Sequence, residues 1–203
     1  DWTSGVKTTR IAAAIAGSGC RGSCRCAGQD DSVTSGHGTH VAGSIIGNGY
    51  NSLAQRGLTA QAAAADPYFD YGFAVGQAPE ARVAFSYVAD GSDGSLCGIG
   101  DTLSTWRSLY SAGARNVNNS WGNTATTYAG DAISADQVMW ENQDYLVVAS
   151  ASNSGPGGDT VTQPATAKNI LTVGAAGNHR SVWAGDSQTS SLLTDFSSRG
   201  PTG

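Results

Sequence analysis

Short apolar runs alternate along the chain with segments in which apolar residues recur at helical spacing. The run at residues 81–89 is continuous and has the length of a strand, and the runs at 145–149 and 169–173 have the length and composition of buried strands. Residues 102–112 and 131–142 instead carry apolar side chains at helical spacing. This alternation of strands and helices predicts an α/β fold with a mostly parallel sheet.

Three further elements follow from local patterns. Residues 9–16 are apolar and fit a buried strand or a short helix, and residues 116–120 fit a short strand. A run of small apolar residues predicts a helix that begins at or near His37 and ends at Gly47 or Gly49. These elements extend the α/β pattern over most of the chain.

The composition narrows the classes of function. Of 203 residues only 13% are charged and 28 are glycine, which indicates a compact fold with many tight turns. The net charge of −5 argues against nucleic acid as the main partner. No apolar run reaches the roughly 18 residues that a membrane span needs. We therefore expect neither a nucleic acid nor a membrane as partner.

The four cysteines leave their chemistry open. An even number fits disulfides in an oxidising compartment, and a bridge between Cys24 and Cys26 is disfavoured because a single residue separates them. We expect a bridge from Cys20 to Cys24 or Cys26, with the remaining one joined to Cys97. A zinc site or free thiols are the alternatives, although no histidine lies at zinc-finger spacing.

Three glycine-flanked segments contain the polar residues that are candidates for a catalytic role. The segments cover residues 36–43, 118–122 and 151–156, at places where parallel sheets gather functional groups beyond the carboxyl ends of strands. His37 at a helix start suits a general base, because a helix N-terminus disfavours charged imidazolium. The Asn153 amide, on a turn rich in Gly and Pro, suits a fixed donor to a developing oxyanion.

These segments, GHGTHVAG, NNSWG and ASNSGP in this order, resemble the motifs of the subtilisin-like serine proteases, or subtilases. The closing FSSRGPTG is similar in style to the large alkaline, oxidatively stable members of that family. The resemblance implies a three-layer α/β/α fold with a mostly parallel sheet, incomplete at both ends, and a partial catalytic domain over residues 1–203. It also implies a secreted serine endopeptidase, with His37 as base and Asn153 as oxyanion donor.

The resemblance further implies how a polypeptide substrate would bind in extended form, pairing its backbone with strand edges. The matching positions are Gly94, Ser95, Ser120, Trp121, Gly122 and Ser152. In this resemblance His40 has a structural role beside His37 on the same helix. The alternative is that His40 is a metal ligand. Catalysis needs no cofactor. Apart from the resemblance, Asp66 and Asp70 fit a solvated loop with two acids, and a structural calcium ion bound through their oxygen atoms is the alternative.

Two parts of the family's triad are missing from the given sequence. It has no Asp-(Thr/Ser)-Gly motif after an apolar strand and no Gly-Thr-Ser-Met-Ala motif. Asp1, Asp30 and Asp31 precede His37 but lack the strand and the glycine of the Asp motif. We therefore expect both residues in the remainder of the catalytic domain, outside this chain, and predict that the isolated chain is inactive. The alternative is an inactive binding or scaffold module.

Overall fold

The computed structural model describes residues 10–24, 26, 36–47, 76–90, 95–177 and 192–202. The chain divides into two compact units, Asp1–Gly100 and Asp101–Gly203. In the described part, the first unit contains two strands and one α-helix, and the second contains three strands and two α-helices. None of these helices combines the length and the apolar character that crossing a membrane requires.

The first unit is built on a pair of parallel strands. Strand β1 (Ile11–Ala16) pairs with β2 (Val83–Tyr87), so the apolar residues 9–16 contain a strand and not a helix. Helix α1 (His37–Ile46) begins and ends where the sequence predicts. Ile11 is 43% exposed, because the two strands in the described part of this unit leave part of its surface uncovered. The expectation of a buried strand is therefore wrong at this residue.

All four cysteines of the first unit are paired. One disulfide joins Cys20 to Cys26, and the other joins Cys24 to Cys97, which is one of the two pairings that the sequence favours. The sulfur atoms of Cys24 and Cys97 and a carboxylate oxygen of Asp90 lie within 4.8 Å of one another. Sulfur in a disulfide offers no thiolate to a metal ion, so this arrangement agrees with disulfides and not with a zinc site.

The second unit is built on a three-stranded parallel sheet. Strands β3 (Asn116–Asn119), β4 (Leu146–Ser150) and β5 (Leu171–Val173) lie side by side in that order. Helix α2 (Thr102–Ser111) precedes β3, and helix α3 (Gly130–Glu141) connects β3 to β4. The predicted alternation is confirmed, and with it the α/β fold class.

The core of the second unit lies between its helices and β4. Helix α2 packs against α3, and α3 contacts β4. The buried apolar side chains of these three elements are Trp106, Leu109, Ala132, Ala135, Val138, Met139, Val147 and Ala149. Two of the four that α3 supplies are alanines, which let its backbone approach its neighbours closely.

One apolar strand of the second unit differs from prediction, and helix α3 has an exposed apolar side. The run at residues 169–173 predicts a buried strand, but Leu171 is 50% and Val173 is 47% exposed. Among the described strands β5 pairs only with β4, so it forms an edge of this sheet. On α3, Ile133 and Trp140 are 47% and 77% exposed. They lie seven residues apart and so share one side of the helix, away from the core.

Candidate functional site

His37 is the first residue of α1, and it is exposed. Gly36 precedes it with a φ of 73°, a left-handed conformation that glycine adopts without steric cost. His40 is exposed as well, and its N–H donates to the Gly36 carbonyl oxygen at 2.9 Å. The structure therefore places His37 at an accessible helix N-terminus, as the sequence predicts.

The first unit also contains two of the candidate substrate-binding residues. Ser95 is described and exposed. Its carbonyl oxygen accepts a hydrogen bond of 2.8 Å from the N–H of the buried Asp90. The candidate residues that lie outside the described residues are Gly94, Asp1, Asp30, Asp31, Asp66 and Asp70.

A buried asparagine anchors the segment after β3 in the second unit. Asn119 is 3% exposed; its Oδ1 accepts from Trp106 Nε1 and its Nδ2 donates to the Val148 carbonyl oxygen, both at 3.1 Å. These two bonds tie the end of β3 to α2 and β4. The half-buried Ser120 follows, and its hydroxyl accepts a hydrogen bond of 3.0 Å from the Asn118 amide.

The Trp121 ring stacks on Trp106. The ring centroids are 6.5 Å apart and the planes are inclined by 21°. Trp106 is itself only 1% exposed. One face of the half-buried Trp121 therefore packs on the core, which fixes the orientation of its indole.

The turn after β4 presents Asn153. Ser152 has a φ of 87°, which is uncommon for a residue with a Cβ. The hydroxyl groups of Ser152 and Thr162 are hydrogen-bonded to each other. Asn153 itself is exposed. An exposed amide on a constrained turn can act as a fixed hydrogen-bond donor.

The two candidate segments of the second unit meet at Gly122. A Cβ at this position would lie 2.8 Å from the Gln163 carbonyl oxygen, 3.1 Å from Thr162 Oγ1 and 3.4 Å from Ser152 Oγ. The backbone of Gly122 therefore packs directly on the residues that surround Ser152. The segments that follow β3 and β4 come together at the carboxyl ends of these strands, as expected for a parallel sheet.

A third segment, with two buried serines, contacts the Asn153 turn. Ser197 and Ser198 are 1% and 5% exposed. The Ser198 hydroxyl accepts from the Ser154 N–H, and the Ser198 N–H donates to the Ser152 carbonyl oxygen, both at 3.0 Å. Serines beside an arginine are typical of a surface loop. The local pattern therefore did not indicate these contacts, and the only signal was the FSSRGP motif itself.

The chain is similar to known proteases over most of its length. The model of the subtilase family, Peptidase S8, matches residues 26–203. The serine protease/ABC transporter B family protein tagD of Dictyostelium discoideum is 31% identical over 152 residues, which are 72% of this chain and 8% of that protein. Serine protease AprX of Bacillus subtilis (strain 168) is 28% identical over 181 residues, which are 82% of this chain and 35% of that protein.

Among solved structures, the S41 psychrophilic protease aligns with a TM-score of 0.53 at 24% sequence identity. The alignment covers 80% of this chain and 45% of that chain. At this identity the likeness speaks for the fold alone, and it agrees with the α/β architecture described above. The chain spans less than half the length of each of these three proteins.

Proposed function

Because this chain belongs to the subtilase family, we propose that it forms part of the catalytic domain of a secreted serine endopeptidase. The enzyme would hydrolyse peptide bonds with a Ser-His-Asp triad, of which this chain supplies His37. The serine and the aspartate would come from the remainder of that domain. Asn153 would supply the side-chain donor to the oxyanion.

The position of Asn153 is the observation that carries this proposal. Asn153 is exposed on the turn that follows β4, directly after Ser152, and Ser152 packs against Gly122 from the segment that follows β3. A donor held in place before the reaction stabilises the charge that develops on the carbonyl oxygen of the scissile bond. Removal of one such donor lowers kcat by about 10²–10³-fold in enzymes of this chemistry.

His37 would act as general base and then as general acid. It takes the proton of the attacking serine hydroxyl as the C–O bond forms, and it donates that proton to the leaving amine as the C–N bond breaks. The exposed position of His37 at the start of α1 leaves its ring accessible for both transfers. An aspartate of the remaining domain would hold the second ring nitrogen.

The substrate would be a polypeptide in extended form. Its backbone would pair with residues at the loop after β2 and at the end of β3, and would pass the turn after β4. These residues are Gly94, Ser95, Ser120, Trp121, Gly122 and Ser152. The fixed indole of Trp121 favours large apolar side chains next to the scissile bond. A strict requirement for a basic residue there, in cleavage of a peptide library, would contradict this preference.

Secretion and cofactor use complete the proposal. The two disulfides of the first unit favour an oxidising compartment. Catalysis by the triad and an asparagine amide requires no cofactor. A structural calcium ion is compatible with the proposal, and a lower melting temperature on addition of a chelator would support it.

The test uses the full-length protein that contains this chain. We expect it to hydrolyse casein, to be labelled by a fluorophosphonate probe on a serine outside this chain, and to lose both properties in His37→Ala. His40→Ala is the matched control, because His40 is an exposed histidine on the same helix. It should retain hydrolysis. Equal loss in both variants would contradict the role of His37.

The second candidate is the inactive binding or scaffold module that the sequence leaves open. The two candidates differ in the sequence that flanks this chain. An Asp-(Thr/Ser)-Gly motif before it and a Gly-Thr-Ser motif after it would support the protease. A full-length protein without these motifs, unlabelled by the probe but binding unfolded polypeptide, would support the second candidate.

A further inference from the structure

One residue makes backbone contacts on both sides of Asn153. The Ser198 N–H donates to the carbonyl oxygen of Ser152, and the Ser198 hydroxyl accepts from the N–H of Ser154, each at 3.0 Å. Ser198 is 5% exposed, so water cannot easily replace either bond. The peptide groups that flank Asn153 are thus both fixed by a single buried side chain and its backbone.

The neighbouring contacts restrict the same turn. The Gly155 N–H donates to the Phe196 carbonyl oxygen at 2.9 Å. The N–H of Arg199 donates to Thr160 Oγ1 at 2.9 Å, and the N–H of Thr160 donates to the Arg199 carbonyl oxygen at 3.0 Å. Hydrogen bonds thus join the two segments on both sides of Ser198. They hold Ser198 in register with the turn.

The turn needs external support because its backbone is unfavourable. Ser152 lies in the left-handed region with a φ of 87°, which costs a residue with a Cβ on the order of 1 kcal/mol. Conformations of this kind persist only where the surroundings fix them. The bond from Ser198 to the Ser152 carbonyl oxygen and the bond between the Ser152 and Thr162 hydroxyls provide that constraint.

We propose that Ser198 is a positioning residue for the Asn153 amide. It does not touch the substrate; it fixes the direction in which Asn153 presents its amide by bonding the peptide groups on either side. The inference rests on the proposed function, because the amide's direction matters for catalysis only if Asn153 binds the oxyanion. Loss of the hydroxyl would release the Ser154 N–H and let the turn relax.

The adjacent serine provides a closely matched control. Ser197 is 1% exposed, and its hydroxyl accepts a hydrogen bond of 3.0 Å from the N–H of Ala175. The two serines thus have similar burial, and each hydroxyl accepts one backbone N–H at the same distance. Only the bond of Ser198 ends on the Asn153 turn. Substitution of either serine by alanine should therefore lower stability. Only the substitution of Ser198 should also disturb the alignment of the Asn153 amide.

The kinetic test measures kcat and KM of the full-length protein. Ser198→Ala should lower kcat about 10–100-fold, as expected for a misplacement of about 1 Å, with KM within about twofold. Ser197→Ala should lower the melting temperature about as much as Ser198→Ala does, and it should leave kcat within about twofold of the original value. Ser198→Thr, which keeps the hydroxyl, should recover most of kcat. Equal loss of kcat in Ser197→Ala and Ser198→Ala would overturn the proposal.

The coupling between the two residues gives a sharper result. If Ser198 acts through Asn153, the double variant Asn153→Ala/Ser198→Ala should have the same kcat as Asn153→Ala alone. Rate losses that multiply would show that Ser198 acts independently of Asn153, and the proposal would fail.

Hydrogen exchange separates this inference from the proposed function. The Ser154 amide should exchange faster in Ser198→Ala and at the original rate in Ser197→Ala, whether or not the protein hydrolyses peptides. A protein without peptidase activity but with this exchange pattern would refute the proposed function and support the positioning of the turn. Unchanged exchange at Ser154 would refute the positioning itself.

Discussion

Close backbone packing determines which residues are tolerated around the Asn153 turn. A Cβ added to Gly155 would lie 2.1 Å from the Ser197 carbonyl oxygen and 2.5 Å from that of Asp195. Backbone atoms cannot move aside as a flexible side chain can. We expect Gly155→Ala to lower the free energy of unfolding by about 2 kcal/mol or more, as measured by urea denaturation.

Gly157→Ala is the control for that substitution. Its added Cβ would approach only Thr160 Cγ2, at 3.9 Å, which is an ordinary van der Waals contact. Its free energy of unfolding should stay within about 0.5 kcal/mol of the original value, or rise slightly because alanine has fewer unfolded conformations. Equal destabilisation by the two alanines would mean that the contact at Gly155 is not decisive.

A second residue-scale prediction concerns the buried Asn119. Asn119→Ala would leave the buried Trp106 Nε1 without its acceptor and would remove the side-chain bond to the Val148 carbonyl oxygen. An unsatisfied buried polar group costs about 1–3 kcal/mol, so we expect the free energy of unfolding to fall by about that amount. Asn118→Ala, at an exposed position one residue earlier, should change it by less than about 0.5 kcal/mol.

At the scale of elements, the start of α2 makes stability depend on pH. Ser104 Oγ donates to Asp101 Oδ2 at 2.6 Å, and the Leu103 N–H donates to Oδ1 at 3.1 Å. The hydrogen bond from the Ser104 hydroxyl is the main cause that lowers the pKa of Asp101 below its ordinary value. The capping contribution is therefore complete above the unfolded-state pKa of about 3.9 and is lost as pH falls through the lower folded-state pKa.

Substitutions at Asp101 separate capping from charge. Asp101→Ala should cost about 1 kcal/mol at pH 7, the typical worth of an N-cap. Asp101→Asn should keep most of that contribution but show a shallower loss of stability below about pH 4, because its amide does not titrate in this range. Urea denaturation at a series of pH values measures both effects. Parallel pH profiles for the original protein and the Asp101→Asn variant would count against the role of the carboxylate.

Most elements were predictable because their signals are local. Helices α2 and α3 and strand β4 lie within a residue or two of the predicted bounds, since each pattern is read from adjacent side chains. The burial of β5 was not predictable in this way. Its apolar composition matches that of β4, and only its place at an edge of the sheet leaves Leu171 and Val173 exposed.

At the scale of the whole molecule, the two disulfides should contribute unequally. The Cys24–Cys97 bond closes a separation of 73 residues and the Cys20–Cys26 bond one of 6. In the chain-entropy description these loops correspond to about 4 and about 2 kcal/mol. The paired variant Cys24→Ser/Cys97→Ser should therefore unfold at lower urea concentration than Cys20→Ser/Cys26→Ser. Thiol labelling of the original protein should find none of these four cysteines free.

The sequence by itself determined the α/β class, the helix that starts at His37, and the turns that carry Ser120 to Gly122 and Asn153. These features depend on side-chain periodicity, glycine positions and motifs within a few residues of one another. The tertiary structure decided which cysteines pair, which apolar strand stays exposed, and that Ser198 supports the Asn153 turn from 44 residues beyond Ser154. Contacts over such separations depend on how the elements pack, and a local sequence pattern does not predict that packing.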